Sequence, residues 1–264
     1  VSPSFAKLYD RHIPGWRSDN FSLRSALSIP HDEAWQAHLL AKQRLLGNIE
    51  RETNAGFDSG VLTIGFARRA AAYKRPDLIF DDLDRLKKIS REAGRLQFVF
   101  AGKAHPQDHI GKQLIQQVVQ MARALGDEVP MVFLPNYDME LAQLITAGVD
   151  LWLNTPEPPQ EASGTSGMKA AINGVPSLSV LDGWWIEGSI ENVTGWAVGN
   201  PDQPDDRSQD AQTIYNKLES TIVPMYYRNR EQYVDIMRLA IALNGSYFNT
   251  QRMLEEYVLK AYFE

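Results

Sequence analysis

Cysteine is absent from all 264 residues, which excludes disulfide staples and thiolate metal centres and suits a reducing compartment such as the cytoplasm. No apolar run is long enough to span a bilayer, and no charged-then-apolar leader opens the chain. Excess positive charge is also missing. A formal net charge of −6 and a pI near 5.5 argue against a nucleic-acid binder, whose surface must grip phosphate backbones. A sugar or another small molecule fits better as partner. Internal repeats and low-complexity tracts are lacking as well. What is present is a hydrophobic content of 44%, enough at this length to fill one large core. The opening stretch, VSPSFAKLYD, reads as the interior of a longer protein.

Residues 1–57 read as a helical lead-in. Trp35, Leu39, Leu40, Leu45, Leu46 and Ile49 recur at helical spacing before TNAGFDSG breaks the pattern with glycines and turn formers. From residue 58 onward short apolar runs alternate with amphipathic segments. VLTIGFA, LQFVFAG, VPMVFLP, VDLWLN and VPSLSV read as five strands. Helices are expected around Leu78 to Ile89, Leu114 to Leu125, Met139 to Ala147 and Lys169. Strands apolar on both faces and separated by helices predict an α/β fold: a doubly wound, Rossmann-like parallel sheet. NPDQPDDRSQD predicts a surface loop. Further helices over Ile214 to Thr221, Tyr233 to Leu243 and Met253 to Tyr262 are expected to pack on the faces of the domain 58–264.

Ligands of such sheets sit beyond the carboxyl ends of the strands, so the turns after each strand carry the candidate chemistry. After VLTIGFA, four cations fall within eight residues: Arg68, Arg69, Lys74 and Arg75. Such a cluster can receive a phosphate-like oxyanion, or it can be a solvated helix face. His105 and His109 have the spacing of a metal pair, but Pro106 disfavours the helical version and no third ligand is evident, so no metal site is expected. Tyr137 offers a hydroxyl to a ligand or belongs to the core. In EASGTSGMKAAING, small residues begin a short helix, and Gly164 and Gly167 permit close approach of an anion to the backbone amides. Lys169 reads as lying in the first turn, where a cation is disfavoured unless something negative holds it or it is used covalently.

EASGTSGMKAAINGVPSLSVLDG resembles the pyridoxal-phosphate site of the α-glucan phosphorylases, the glycogen and starch phosphorylase family. FARRAAAYKRPDLIF and FAGKAHPQD resemble two further family blocks in the right order, and the likeness spans roughly Leu62 to Glu187. It implies that Lys169 forms the Schiff base with pyridoxal 5′-phosphate and that the amides of Gly164, Thr165 and Ser166 hold the cofactor's phosphate. It also implies that Arg69 and Lys74 bind the substrate phosphate, that Arg68 and Tyr137 lie beside the cofactor, and that Glu161, Ser163 and Gly164 contact glucose. The implied reaction is reversible phosphorolysis of α-1,4-glucan by inorganic phosphate to glucose 1-phosphate, with retained configuration. The cofactor's phosphate would relay a proton to the substrate phosphate.

This sequence departs from the animal members at Ser166 and Gly167, where they have Gly-Asn, and at Arg68, where they have lysine. Trp184 and Trp185 replace small or polar residues; they suit a sugar-stacking platform or, equally, core packing or a contact between lobes. The larger departure is extent, because the resemblance reaches only the carboxyl-terminal lobe of a two-lobed, glycosyltransferase-like fold of the GT-B type. The amino-terminal lobe, which supplies further glucose and cofactor contacts, is absent, and the chain alone is expected to be inactive. Two rivals stand beside this reading. A retaining nucleotide-sugar glucosyltransferase of the synthase type would place a carboxylate about where Lys169 stands, and a non-catalytic glucan-binding lobe would leave the cofactor cup vestigial.

Overall fold

The computed structural model describes residues 1–199 and 206–263. Six strands, β1 (Leu62–Ala67), β2 (Leu96–Ala101), β3 (Met131–Leu134), β4 (Leu151–Asn154), β5 (Ser177–Val180) and β6 (Gly195–Val198), form one sheet. Every pairing is parallel and the order is β3-β2-β1-β4-β5-β6. The helices are α1 (Pro3–His12), α2 (His31–Thr53), α3 (Leu83–Glu92), α4 (His109–Leu125), α5 (Met139–Gly148), α6 (Thr165–Ala171), α7 (Trp185–Gly188), α8 (Arg207–Lys217), α9 (Val223–Arg228), α10 (Arg230–Leu239) and α11 (Thr250–Tyr257).

Alternation along the central strands divides the apolar residues between two layers. Leu62, Ile64 and Phe66 of β1, with Phe98 and Phe100 of β2, face a core shared with Leu86, Val118, Ile214 and Tyr233. Ala67, Val99, Ala101 and Trp152 face the opposite core, built with Leu45 and Ile49 of α2, Ile145 of α5 and Ala170 of α6. Aspartates start several of these helices: Asp82, Asp108 and Asp138 accept from the amides of Arg85, Gly111 and Leu141 at 2.9, 2.8 and 2.8 Å. The TNAGFDSG break is a helix stop, since Asn54 adopts the left-handed conformation (φ 53°) just past α2 and returns its amide to Glu50 O.

The doubly wound α/β class holds, with three corrections of detail. A sixth strand joins the sheet edge. β6 begins with a glycine and is only four residues long, so it lacks a strand-like run, yet pairing with β5 buries Trp196 and Val198. The helix expected over Leu78 to Ile89 is two pieces, a 3₁₀ turn (Leu78–Phe80) and α3, because the Asp82 cap restarts it. Of the terminal helices, α8 and α10 bury apolar side chains against the first core, whereas α11 buries none and leaves Met253, Leu254 and Tyr257 exposed. Most of the segment NPDQPDDRSQD lies outside the described residues.

Candidate active site

Successive strands are added outward in one direction from β1 and in the other from β4, and this switch point opens a crevice at the carboxyl ends of these two strands. Arg68 directly follows β1, and Asn154 ends β4. One guanidinium nitrogen of Arg68 donates to Asn154 Oδ1; the other, Nη2, reaches Glu161 Oε2 at 2.5 Å. Lys74 Nζ donates to the same carboxylate oxygen. Three residues distant in sequence therefore form one charged knot, with Lys74 and Glu161 buried. Burial alone would raise the Glu161 carboxyl, but the hydrogen bond from Lys74 and the charge of Arg68 outweigh it and hold it below its ordinary value. For Arg68, burial works against the charge and Glu161 supports it. Arg68 Nε remains buried without a partner.

The backbone of Glu161 is pinned from behind. Its amide donates to Asp182 Oδ2 at 2.8 Å, and Asp182 Oδ1 accepts from Gly183 N at 2.8 Å. Gly183 has φ +55°, and a Cβ there would lie 2.6 Å from Ser163 O and 2.8 Å from Glu161 O, so the two loops touch through backbone alone. Asn154 and Asp182 are site residues that sequence reasoning missed. The available signal was a polar residue closing, or just following, an otherwise apolar strand.

Helix α6 is capped by Gly164 in the left-handed conformation (φ 86°), with no side-chain cap bond. Packing also calls for glycine at this turn. Trp184 lies beneath this turn: a Cβ on Gly167 would meet its indole at 2.8 Å, and one on Gly164 at 3.2 Å. Trp184 itself is only 5% exposed and packs edge-on against Trp185 and Phe248, each with centroids 5.1 Å apart. A sugar-stacking platform is thereby excluded for the pair; both tryptophans are core that sets the height of α6. Lys169 also departs from expectation, since it sits in the last turn of a seven-residue helix, where a cation is electrostatically welcome.

The remaining predicted residues are more dispersed. Lys169 is exposed and lines a cavity of about 300 Å³ together with Ala41, Arg44, Met139 and Asn173. Arg69 is exposed and lines a small cavity at the end of β1 together with Arg68 and Lys74. Tyr137 packs against the second core; burial raises its hydroxyl pKa, and the nearby charge of Arg68 opposes the shift. Ser163, Thr165 and Ser166 form the rim of the loop and the start of α6, where the Ser163 carbonyl accepts the Trp184 amide at 2.8 Å.

A family model described as carbohydrate phosphorylase matches residues 2–196. The chain belongs to the carbohydrate phosphorylase family. It is 42% identical to a maltodextrin phosphorylase of Thermococcus litoralis over 97% of this chain and 33% of that protein. It is 43% identical to a glycogen phosphorylase of Aquifex aeolicus over 89% of this chain and 37% of that protein. The chain thus spans about a third of the length of the curated relatives it matches.

Proposed function

We propose that this chain is the carboxyl-terminal, cofactor-binding lobe of an α-1,4-glucan phosphorylase, a glycosyltransferase of the cytoplasm that exchanges a glucan bond for glucose 1-phosphate. The observation that carries the reading is the convergence of Arg68, Lys74 and Glu161 at the switch point, one loop away from the start of α6. Two cations on a single carboxylate oxygen form a receptor for a doubly charged anion, and Glu161 is the carboxylate available to a sugar hydroxyl.

The residues present fit pyridoxal 5′-phosphate. Arg68 has an unsatisfied buried N–H, the Gly164 cap leaves its helix start without a side-chain partner, and Lys169 borders a cavity. Lys169 would hold the cofactor covalently, the amides of Gly164, Thr165 and Ser166 its phosphate, and Arg68 and Tyr137 its flank. When bound, the cofactor supplies a phosphate that exchanges a proton with the substrate phosphate. This chain's own residues do the rest. Lys74 and the exposed Arg69 neutralise the inorganic phosphate, which the neighbouring cofactor phosphate otherwise repels. The same cations keep that anion beneath a sugar ring gaining positive charge. Glu161, Ser163 and Gly164 orient the glucose.

The lysine at position 169 weighs against the nucleotide-sugar transferase, and the burial of Trp184 and Trp185 weighs against the non-catalytic glucan-binding lobe. Turnover would draw on the family's amino-terminal lobe as well as on these residues. To test the reading, the chain is incubated with pyridoxal phosphate, reduced with borohydride and mapped by mass spectrometry. Stoichiometric modification confined to Lys169 is expected; modification scattered over surface lysines in both this chain and the full-length protein would overturn it.

A further inference from the structure

Arg75 closes the cationic run, yet nothing in the proposed reaction uses it. Its side chain is buried and turned away from the crevice. Nε donates to Thr155 O at 3.0 Å, and Nη2 donates to Pro156 O at 2.7 Å and to Asp210 Oδ2 at 2.6 Å. Its backbone is in the left-handed region (φ 42°, ψ 57°), which strains a residue with a side chain and persists only where the surroundings impose it. Thr155 completes the clip, its hydroxyl meeting Lys74 O at 3.0 Å and Arg75 O at 2.9 Å. One residue earlier, Glu157 N donates to Tyr73 O at 2.7 Å. The loop carrying Lys74 is thus laced to the exit of β4, and the knot of the lacing is an ion pair with α8.

We propose that Asp210 and Arg75 form a positioning pair that fixes the Lys74 ammonium on Glu161, so that α8 sets the geometry of the phosphate-binding lysine. The role of Lys74 in this inference rests on the phosphorylase reading above. The physical argument is that a buried guanidinium without its counter-charge turns toward water. Once it does, the carbonyls of Thr155 and Pro156 lose their donors, the strained turn at Arg75 relaxes, and the adjoining Lys74 leaves the carboxylate. Asp210 is itself held in place, since it sits under Gly199, where a Cβ would come within 2.6 Å of its Oδ1.

The test reads the reactivity of Lys74 directly. The full chain is treated with a limiting amount of an amine-acetylating reagent, and the peptides containing Lys74 and Lys88 are quantified by mass spectrometry. Lys88, 54% exposed on α3, serves as internal reference. Asp210→Asn and Arg75→Gly are each expected to raise the Lys74-to-Lys88 ratio by about tenfold or more, the factor associated with losing a charge-assisted hydrogen bond. Arg75→Gly guards against misfolding, because glycine adopts the left-handed conformation without strain. A ratio equal to wild type in both variants overturns the proposal, as does an equal acceleration of every lysine in both, which would mark the pair as a general fold clip. Inorganic phosphate titrated calorimetrically into the same proteins separates this from the functional reading. Weaker phosphate binding in Asp210→Asn at an unchanged Tm supports the positioning role. A raised ratio in a protein whose wild type binds no phosphate also upholds the pair's hold on Lys74, and then it is the phosphate role of Lys74 that fails.

Discussion

Two lysine–carboxylate knots sit at opposite ends of the same strands, and they differ in what they leave for a ligand. At the carboxyl ends, Glu161 takes Lys74 and Arg68 on one oxygen, beside an orphaned Arg68 N–H and a solvent-facing Arg69. At the amino ends, Asp150 is buried and bonded through both oxygens, although its partner His38 also keeps a buried Nδ1 without a partner. Its Oδ1 lies 2.7 Å from His38 Nε2, and its Oδ2 accepts from Lys42 Nζ at 2.5 Å and from Thr63 N at 2.7 Å. Lys42 spends a second proton on Val61 O at 2.7 Å, and Tyr233 donates to the Asp150 carbonyl at 2.7 Å. Both carboxyls are held below their ordinary values against burial, Asp150 chiefly by Lys42 and His38. The lesson is that neither a depressed carboxylate nor an orphaned buried nitrogen marks a site by itself; what separates the two knots is a carboxyl strand end that faces a crevice.

The sharpest way to break this comparison is to remove each carboxylate in turn and measure urea unfolding. Asp150→Ala strands a fully buried ammonium and is expected to cost about 3–5 kcal/mol. Glu161→Ala, at the mouth of a crevice where water can replace the carboxylate, is expected to cost about 1–2 kcal/mol. Equal losses would mean that both knots are structural.

Acid sharpens the same contrast. A carboxyl whose folded pKa is depressed stabilises the fold fully above the unfolded value, about 4, and loses that contribution as pH falls through its lowered folded value. Stability should therefore decline on the acid side of pH 4, and Asp150→Asn should flatten that limb more than Glu161→Gln does. Chemical denaturation repeated across that range decides it, and an unchanged acid limb in Asp150→Asn would contradict the assignment.

A smaller effect concerns binding. Glu161 competes with any external anion for Lys74 and Arg68, so Glu161→Gln should tighten inorganic phosphate by about tenfold, equivalent to about 1.4 kcal/mol. Calorimetry that finds weaker or unchanged phosphate binding would show that the carboxylate does not occupy the anion's place. Smallest in stability is Lys169→Ala. This exposed side chain in the last turn of α6 should shift stability by less than about 0.5 kcal/mol, while removing the borohydride-trapped pyridoxal label. A large drop in Tm would make Lys169 a structural residue.

Much of this was legible in the sequence because it is local. The apolar runs around β1 and β2 announce buried parallel strands through composition alone, and EASGTSGMKAAING carries its own turn and helix chemistry. Less legible were features that depend on distant partners. The strand β6 exists because β5 offers it an edge, and its four residues, opening on a glycine, are too short a run to announce it. The Trp184–Trp185 pair left more than one reading open, and nothing local announces that the Trp184 indole lies beneath Gly164 and Gly167 and leaves a Cβ there no room. Likewise, no local signal tells that Arg68 rather than Arg69 reaches Glu161; alternation at the end of β1 turns one arginine inward and leaves its neighbour exposed.

By itself, the sequence determined the α/β class and the family block around Lys169, since hydrophobic period, turn residues and motif spacing are properties of contiguous residues. Tertiary structure alone decided that Glu161 would neutralise Lys74 and Arg68, that Asp150 would be sealed with Lys42 and His38, and that Asp210 would hold Arg75. Those pairings join residues 87, 93, 108, 112 and 135 positions apart. At such separations no local preference selects a partner; the choice follows from which strand ends the sheet order brings together and from the cost of burying a charge there unpaired.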